Sequence, residues 1–382
     1  MAIKSCDQGV LWTMDRPRIE GFDLARAVAV MAMIVVNYTA LMQIGTFSPL
    51  WLNRLIDFLF GRAATVFVIL AGVSISLLTA GRSPDEMRRF LLARSLLLFV
   101  VGMALWHWWA ADILHFYAAY MALGACLIAW PGCRLYRLGV IIGLISLPVC
   151  AGLTVAYDGA DPIAFFDGHG LGLRLAADYL LGCYYPFFPW FGYFVMGMLL
   201  GRREPTGRSF HRRLLLVSAV SCLVIEVFSG SMLTWVQRRD MEIEGCWWLT
   251  FLRSEAFPVT PLFVISSAAS ALALISLCRL VAEHPSFACL LKPLSQFGKL
   301  SLTMYVAHLL WGFGVTSWIE SFGTKVGPFQ MVVSAGVFAI AGICIALLWC
   351  RRFRRGPLET LFYRLSHIKW PRTAHMATLP KV

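Results

Sequence analysis

Apolar runs of membrane length follow one another along nearly the whole chain, parted by short polar breaks rich in arginine. Crossing the ~30 Å hydrocarbon core takes ~20 helical residues. Ten runs approach that length, near 27–46, 55–80, 95–109, 113–131, 138–157, 187–201, 214–235, 259–278, 300–319 and 329–350. The pattern predicts an all-α, polytopic transmembrane helix bundle of about ten spans, forming one domain over residues 1–365 with a cytoplasmic tail over 366–382. The third and fourth runs are parted only by Ala110-Ala111-Asp112, which predicts a tight hairpin at one face of the membrane.

Composition sharpens this by exclusion. With 59% hydrophobic and 14% charged residues and a mean hydropathy of +0.71, no soluble domain of any size is expected. Lys and Arg accumulate on the cytoplasmic side of membrane proteins. The two termini and the loops on their side hold 26 of them against 6 in the opposite loops, so both termini are expected in the cytoplasm. The net charge of +12 is then this asymmetry plus attraction to anionic lipid. Nucleic acid is not an expected partner, because the basic residues are scattered over many loops. The first twenty residues are too polar for a cleavable signal peptide, which leaves the first span to direct insertion. The 11 cysteines show no CxxC spacing, and only Cys183 and Cys246 fall in outward loops where a disulfide would persist.

Several polar groups sit where a lipid-facing helix would not carry them. Asp23 and Arg26 are three apart and Asn37 lies eleven further on, so at ~3.6 residues per turn they share nearly one face. Ionisable groups at that depth turn toward a protein interior or a wet cavity; a salt-bridged helix start with one buried amide fits the same spacing. Arg62, two turns into the second run, needs Asp57, a carboxylate from another helix or an anionic substrate group.

Histidine supplies the candidate acid/base chemistry, since imidazole titrates near neutral pH. Asp112 and His115 are spaced for the carboxylate to orient the ring as a general base, or for Asp112 to cap the helix with His115 at the interface. Ser301, Tyr305 and His308 share one face of the ninth run, fit for catalysis or for interhelical hydrogen bonds. Asn37 and the Tyr305 hydroxyl are candidate oxyanion donors. Arg26, Arg82, Arg88, Arg89, Arg202 and Arg203 would stand at a cytoplasmic mouth, where arginine suits phosphate; the same residues satisfy the inside-positive rule. The longest outward segments, about 158–186 and 236–258, carry carboxylates, His169 and Trp247-Trp248, a composition that suits sugar contacts or a membrane-interface belt. No metal-ligand spacing, P-loop, GxSxG or dinucleotide fingerprint is present, so no metal is expected.

Arg18-Ile19 through Asp23, Arg26-Ala27 and Asn37-Tyr38 resembles the first helix of transmembrane acyltransferases related to heparan-alpha-glucosaminide N-acetyltransferase. Phe67 to Ser74 around Gly72, Asp112 to Tyr117, Pro186 to Gly197 and Gly298 to His308 are similar to successive segments of that superfamily. Arg352 to Arg364, with Gly356-Pro357-Leu358-Glu359, resembles the C-terminal signature of its YeiB-like bacterial branch. The resemblance implies an enzyme of a bacterial inner membrane that moves an acetyl group from cytosolic acetyl-CoA to a hydroxyl or amine of an extracytoplasmic sugar. No permanently bound cofactor is implied. His115 with Asp112, or His308, would serve as base, with Asn37 and Tyr305 assisting; Asp23, Arg26, Arg62, Arg202 and Arg203 would hold substrates. The human relative's histidine in the loop after the first span has no counterpart, because Thr39 to Asn53 contains none. Cellulose, another exopolysaccharide, lipopolysaccharide and a peptidoglycan sugar all fit as acceptors; a homodimer or a polysaccharide-synthase complex fits as the assembly. An exporter or flippase for a lipid-linked sugar, and a non-catalytic subunit of a synthesis complex, are the competing classes.

Overall fold

The structure is a computed structural model that describes residues 18–47, 49–156, 184–203, 207–239 and 251–367, with Gly170, Gly172, Leu173, Ala176, Tyr179 and Leu180. Within these residues the helices are α1 (Glu20–Leu41), α2 (Leu50–Leu59), α3 (Arg62–Thr79), α4 (Pro84–Trp106), α5 (Leu114–Leu127), α6 (Gly132–Ala156) and α7 (Phe187–Arg203). They continue as α8 (Arg208–Gln237), α9 (Pro261–Ala282), α10 (Pro285–Lys299), α11 (Ser301–Glu320), α12 (Pro328–Arg352) and α13 (Pro357–Ser366). No strand occurs among the described residues, only an isolated bridge between Ala256 and Val259. His169, Trp247-Trp248, Cys183 and Cys246 lie outside the described residues.

Helix stands at each of the ten predicted runs, and among the described residues seven stretches are long and apolar enough to cross a membrane: α1, α2 with α3, α4, α6, α8, α9 and α12. The chain is an all-α, multi-pass membrane protein. Three departures from the predicted pattern matter for the site. First, α1 begins at Glu20 rather than 27, because Asp23 pairs with Arg26 at 2.5 Å within the first turns. Second, the second run is broken at Gly61, whose φ of +71° suits glycine, so Arg62 opens α3. Third, the predicted cytoplasmic loop 279–299 contains the helix α10, laid against α1 and continuing into α11 through a break at Leu300. Pro293 inside α10 and its short length hide it from a membrane-span pattern.

Glycine lets the central helices touch. A Cβ on Gly72 of α3 would run into the Phe194 carbonyl of α7, and one on Gly197 of α7 would run into the Ile69 carbonyl of α3. Likewise a Cβ on Gly298 of α10 would strike the Asp23 carbonyl of α1. Backbones that approach this closely gain dispersion contact, the main driving force between helices in lipid. Around these crossings Trp190, Tyr38, Tyr120, Tyr305, Phe194 and Phe263 are fully buried. The opposite kind of surface appears on α8, where Leu216, Val220, Leu223, Val224 and Val227 are exposed; on a spanning helix this is the face that meets lipid tails.

Candidate active site

A cavity of about 840 Å³ opens at one end of the bundle. Arg18, Arg26, Arg82, Arg94, Arg202, Arg279 and Lys299 line it, against two carboxylates, Asp23 and Glu359. Both carboxylates are already engaged. Arg26 donates to Asp23 Oδ1 at 2.5 Å and to the Ser74 hydroxyl at 2.8 Å. Glu359, from α13, caps the start of α11, accepting from the Leu302 N–H at 2.9 Å, the Thr303 N–H at 3.2 Å and the Thr303 hydroxyl at 2.6 Å. Arg279 also pairs with Glu283 at 2.5 Å; the seven lining cations still outnumber the three carboxylates that meet them, and the wall is net positive. Arg202 is oriented by the end of α5, donating to the Trp130 carbonyl at 2.5 Å and the Ile128 carbonyl at 3.2 Å. Arg82 has a buried Nη1 with no hydrogen-bond partner, an arrangement that suits an incoming anion.

From Ile128 at this mouth, α5 runs inward to Leu114, and Leu114, Tyr117, Leu98 and Met121 line the cavity beyond the cationic rim. At 14 residues, α5 is ~21 Å long, short of a full crossing. The hairpin before it therefore enters the bundle instead of resting at the membrane face, and it carries Asp112 and His115, both fully buried. Gly102 permits this: a Cβ there would collide with the His115 backbone.

The hairpin meets α11. The Tyr305 hydroxyl donates to Asp112 Oδ1 at 3.0 Å. Asp112 Oδ2 accepts from the Leu114 N–H at 2.9 Å and lies 3.3 Å from His115 Nδ1. The Asp112 carboxylate thus both caps α5 and orients the ring, combining the two readings open from sequence. The Tyr179 hydroxyl donates to the His115 carbonyl at 2.7 Å, fixing the backbone on the other side. One turn along α11, His308 lies edge-on to Tyr305 with ring centroids 5.2 Å apart. Its Nε2 is 3.0 Å from Asn37 Nδ2 of α1, and the Tyr38 hydroxyl donates to the His308 carbonyl at 3.0 Å.

Asn37 with His308, and Tyr305 with Asp112 and His115, thus form two polar groups on α1, α11 and the α4–α5 hairpin, touching through the Tyr305–His308 ring contact. Asp23, Arg26 and Arg202 are on the cavity wall; Asn37 points away from it to His308. Arg62 and Arg203 are not among the residues lining the cavity. Arg62 donates to Glu226 of α8 at 2.5 Å, to Ser266 at 3.0 Å and to Ser254 at 3.2 Å, and lies over the rings of Phe58 and Phe263. Its partner is the carboxylate of another helix, one of the options the sequence left. Sequence reasoning did not assign Arg18, Arg94, Arg279, Lys299 or Glu359 to the cavity. The first four look like ordinary inside-positive charges, and Glu359 reaches α11 across 56 residues. Among the described residues no group of three His, Cys, Asp or Glu stands ready to hold a metal ion.

Residues 18–214 match the family described as heparan-alpha-glucosaminide N-acetyltransferase, catalytic. Residues 200–369 match a second family, described as a protein of unknown function, DUF418. Both polar groups draw on the two matches: Asn37, Asp112 and His115 fall in the first match, Tyr305 and His308 in the second. No curated protein matches the chain.

Proposed function

The chain belongs to the transmembrane acyltransferase family described as heparan-alpha-glucosaminide N-acetyltransferase, catalytic, and from that premise we propose that it carries an acetyl group from cytosolic acetyl-CoA to a sugar hydroxyl or amine on the far side of the membrane. The observation that carries this reading is the cationic cavity whose inner wall, at Leu114 and Tyr117, belongs to the same helix as the buried His115, itself outside the cavity lining. Seven cationic side chains around a space of about 840 Å³ fit a donor with several phosphates, since arginine binds phosphate with charge-assisted, often bidentate hydrogen bonds. The thioester end would extend along α5 toward Leu114 and Tyr117, which bracket His115 and Phe116 in α5.

In this mechanism Asp112 accepts a hydrogen bond from His115 Nδ1–H, which holds the tautomer with Nε2 unprotonated and able to act as the base. The acceptor's oxygen or nitrogen attacks the thioester carbonyl carbon as Nε2 takes its proton. The C–S bond then breaks, and the imidazolium returns the proton to the CoA thiolate. Tyr305 holds the far oxygen of Asp112 and is a positioning residue for the base. His308 and Asn37 hold Tyr305 and α1 in register on the donor side. Both termini lie in the cytoplasm of a bacterium whose inner membrane holds the chain, and the acceptor belongs to an extracytoplasmic or lipid-linked polysaccharide, of exopolysaccharide or cellulose type.

Purified protein in nanodiscs, given acetyl-CoA and a panel of sugar acceptors, tests this. Free CoA thiol released only with an acceptor, and matched by acetylated sugar, supports the enzyme. Sugar flux through proteoliposomes without CoA release favours a carrier and would overturn the proposal.

A further inference from the structure

At the end of the bundle away from the cationic cavity, the segment from Arg253 to Thr260 is tied together by Thr260, the N-cap of α9. The Thr260 hydroxyl donates to the Arg253 carbonyl at 2.7 Å and accepts from the Glu255 N–H at 3.1 Å, and the Thr260 N–H returns to the Glu255 carbonyl at 3.0 Å. Beneath it, Ser254 donates to Glu226 at 2.8 Å and accepts from Arg62 at 3.2 Å. The Arg62–Glu226 pair, outside the cavity, is thus the foundation of this turn.

The turn displays an aromatic surface beside an ion pair. Phe257 is 42% exposed and Tyr184 37%, and their rings stack 5.2 Å apart at an angle of 21°. Arg253 pairs with Glu255 at 2.6 Å, both partly exposed. Burial raises the Glu255 carboxyl above the ordinary carboxylate range, while Arg253 pulls it back. Behind the surface, successive ring contacts run from Tyr184 to Tyr185 at 6.4 Å, from Tyr185 to Phe116 at 5.7 Å and from Phe116 to His115 at 4.2 Å. The surface is therefore held at a fixed distance from the proposed base, on the side opposite the donor cavity.

We propose that Phe257 and Tyr184 form a docking platform for a pyranose ring of the acceptor glycan, with Arg253 and Glu255 hydrogen-bonding its hydroxyls. The C–H face of a pyranose carries slight positive charge and complements the negative face of an aromatic ring, and few other ligands combine such a face with a rim of hydroxyls. A membrane-interface anchor would need the apolar rings alone, without the ion pair beside them. The platform rests on the acyl-transfer reading for its purpose, though its binding is separable from it.

Saturation-transfer NMR on the full chain in nanodiscs, with cellotriose and a β-linked glucosamine trisaccharide as probes, tests the platform. Saturation of the ring C–H protons is expected with the wild type and with Phe257→Trp. In Phe257→Leu and Tyr184→Leu the affinity falls about tenfold, the upper end of what an aromatic pair contributes beyond its buried area. Leucine that binds as well as phenylalanine, or a wild type that binds neither trisaccharide, overturns the platform. CoA release measured on the same samples separates the two ideas. Platform-dependent binding without acetyl transfer removes the acyl-transfer reading alone, and transfer indifferent to both leucine variants removes the platform alone.

Discussion

Tyr305 and Asp112 are 193 residues apart in sequence, yet the tyrosine hydroxyl donates to the Asp112 carboxylate at 3.0 Å inside the bundle. This one bond joins the helix carrying His308 to the hairpin carrying His115, and the Tyr305 ring also packs edge-on to His308. Removing the hydroxyl by Tyr305→Phe leaves one lone pair of a buried carboxylate unsatisfied, at a cost of about 1–3 kcal/mol. Transfer is expected to fall roughly tenfold or more, with the pH profile of kcat displaced because the His115 partner has changed. Asp112→Asn is expected to lose on the order of 10⁴-fold, as when the orienting carboxylate of a histidine base is replaced. A Tyr305→Phe enzyme with unchanged rate and pH profile would show the bond to be packing only.

The cationic cavity predicts a split between donor and acceptor kinetics. A hydrogen bond to a charged group contributes about 1.5–3 kcal/mol, so Arg82→Ala should raise the acetyl-CoA KM by roughly 10- to 100-fold. The acceptor KM should not change. Arg203→Ala, outside the cavity lining, should leave both constants near their original values. Equal effects of the two substitutions on the donor KM would mean that general surface charge, rather than this cavity, recruits the donor.

Arg62 makes the opposite prediction. Arg62→Ala leaves Glu226 without its guanidinium partner; because Glu226 keeps partial exposure, the cost falls below the ~3–5 kcal/mol of breaking a fully buried pair. Thermal unfolding should shift down sharply and membrane accumulation should fall. A second change, Glu226→Gln, should recover much of the loss. Failure of Glu226→Gln to recover any stability would show that the pair does not carry the cost.

Gly72 and Gly197 each face a backbone carbonyl of the partner helix, so Gly197→Ala forces α3 and α7 apart. Overpacking costs about 1–3 kcal/mol where side chains can yield, and a carbonyl yields less. The variant is expected to accumulate poorly or melt early in a nanodisc thermal scan, whereas Gly336→Ala, with open space at its Cβ, should melt like the wild type. Equal melting of the two variants would contradict the close crossing.

How much of this was legible in the sequence follows from the range of each interaction. Apolar run length locates helices because each span satisfies its own backbone, and the Asp112–His115 and Asp23–Arg26 pairs are local enough to read from spacing. Tyr305 and Asn37 were identifiable as polar groups at membrane depth, but their partners were not, since nothing local to α11 names a hairpin 193 residues away. The α10 helix was hidden by Pro293 and by lying between charges that also satisfy the inside-positive rule. Glu359 was seen as part of a tail signature, and only the folded chain brings it to the start of α11.

The most direct test of the account supplies donor and acceptor from opposite sides. Oriented proteoliposomes carrying labelled acetyl-CoA at the cationic face and the sugar acceptor at the other should label the sugar. His115→Ala should cut that labelling on the order of 10²-fold or more, the usual contribution of a positioned acid/base, while acetyl-CoA still binds with unchanged affinity. Labelling only when donor and acceptor share one compartment, or near-normal labelling by His115→Ala, would contradict it.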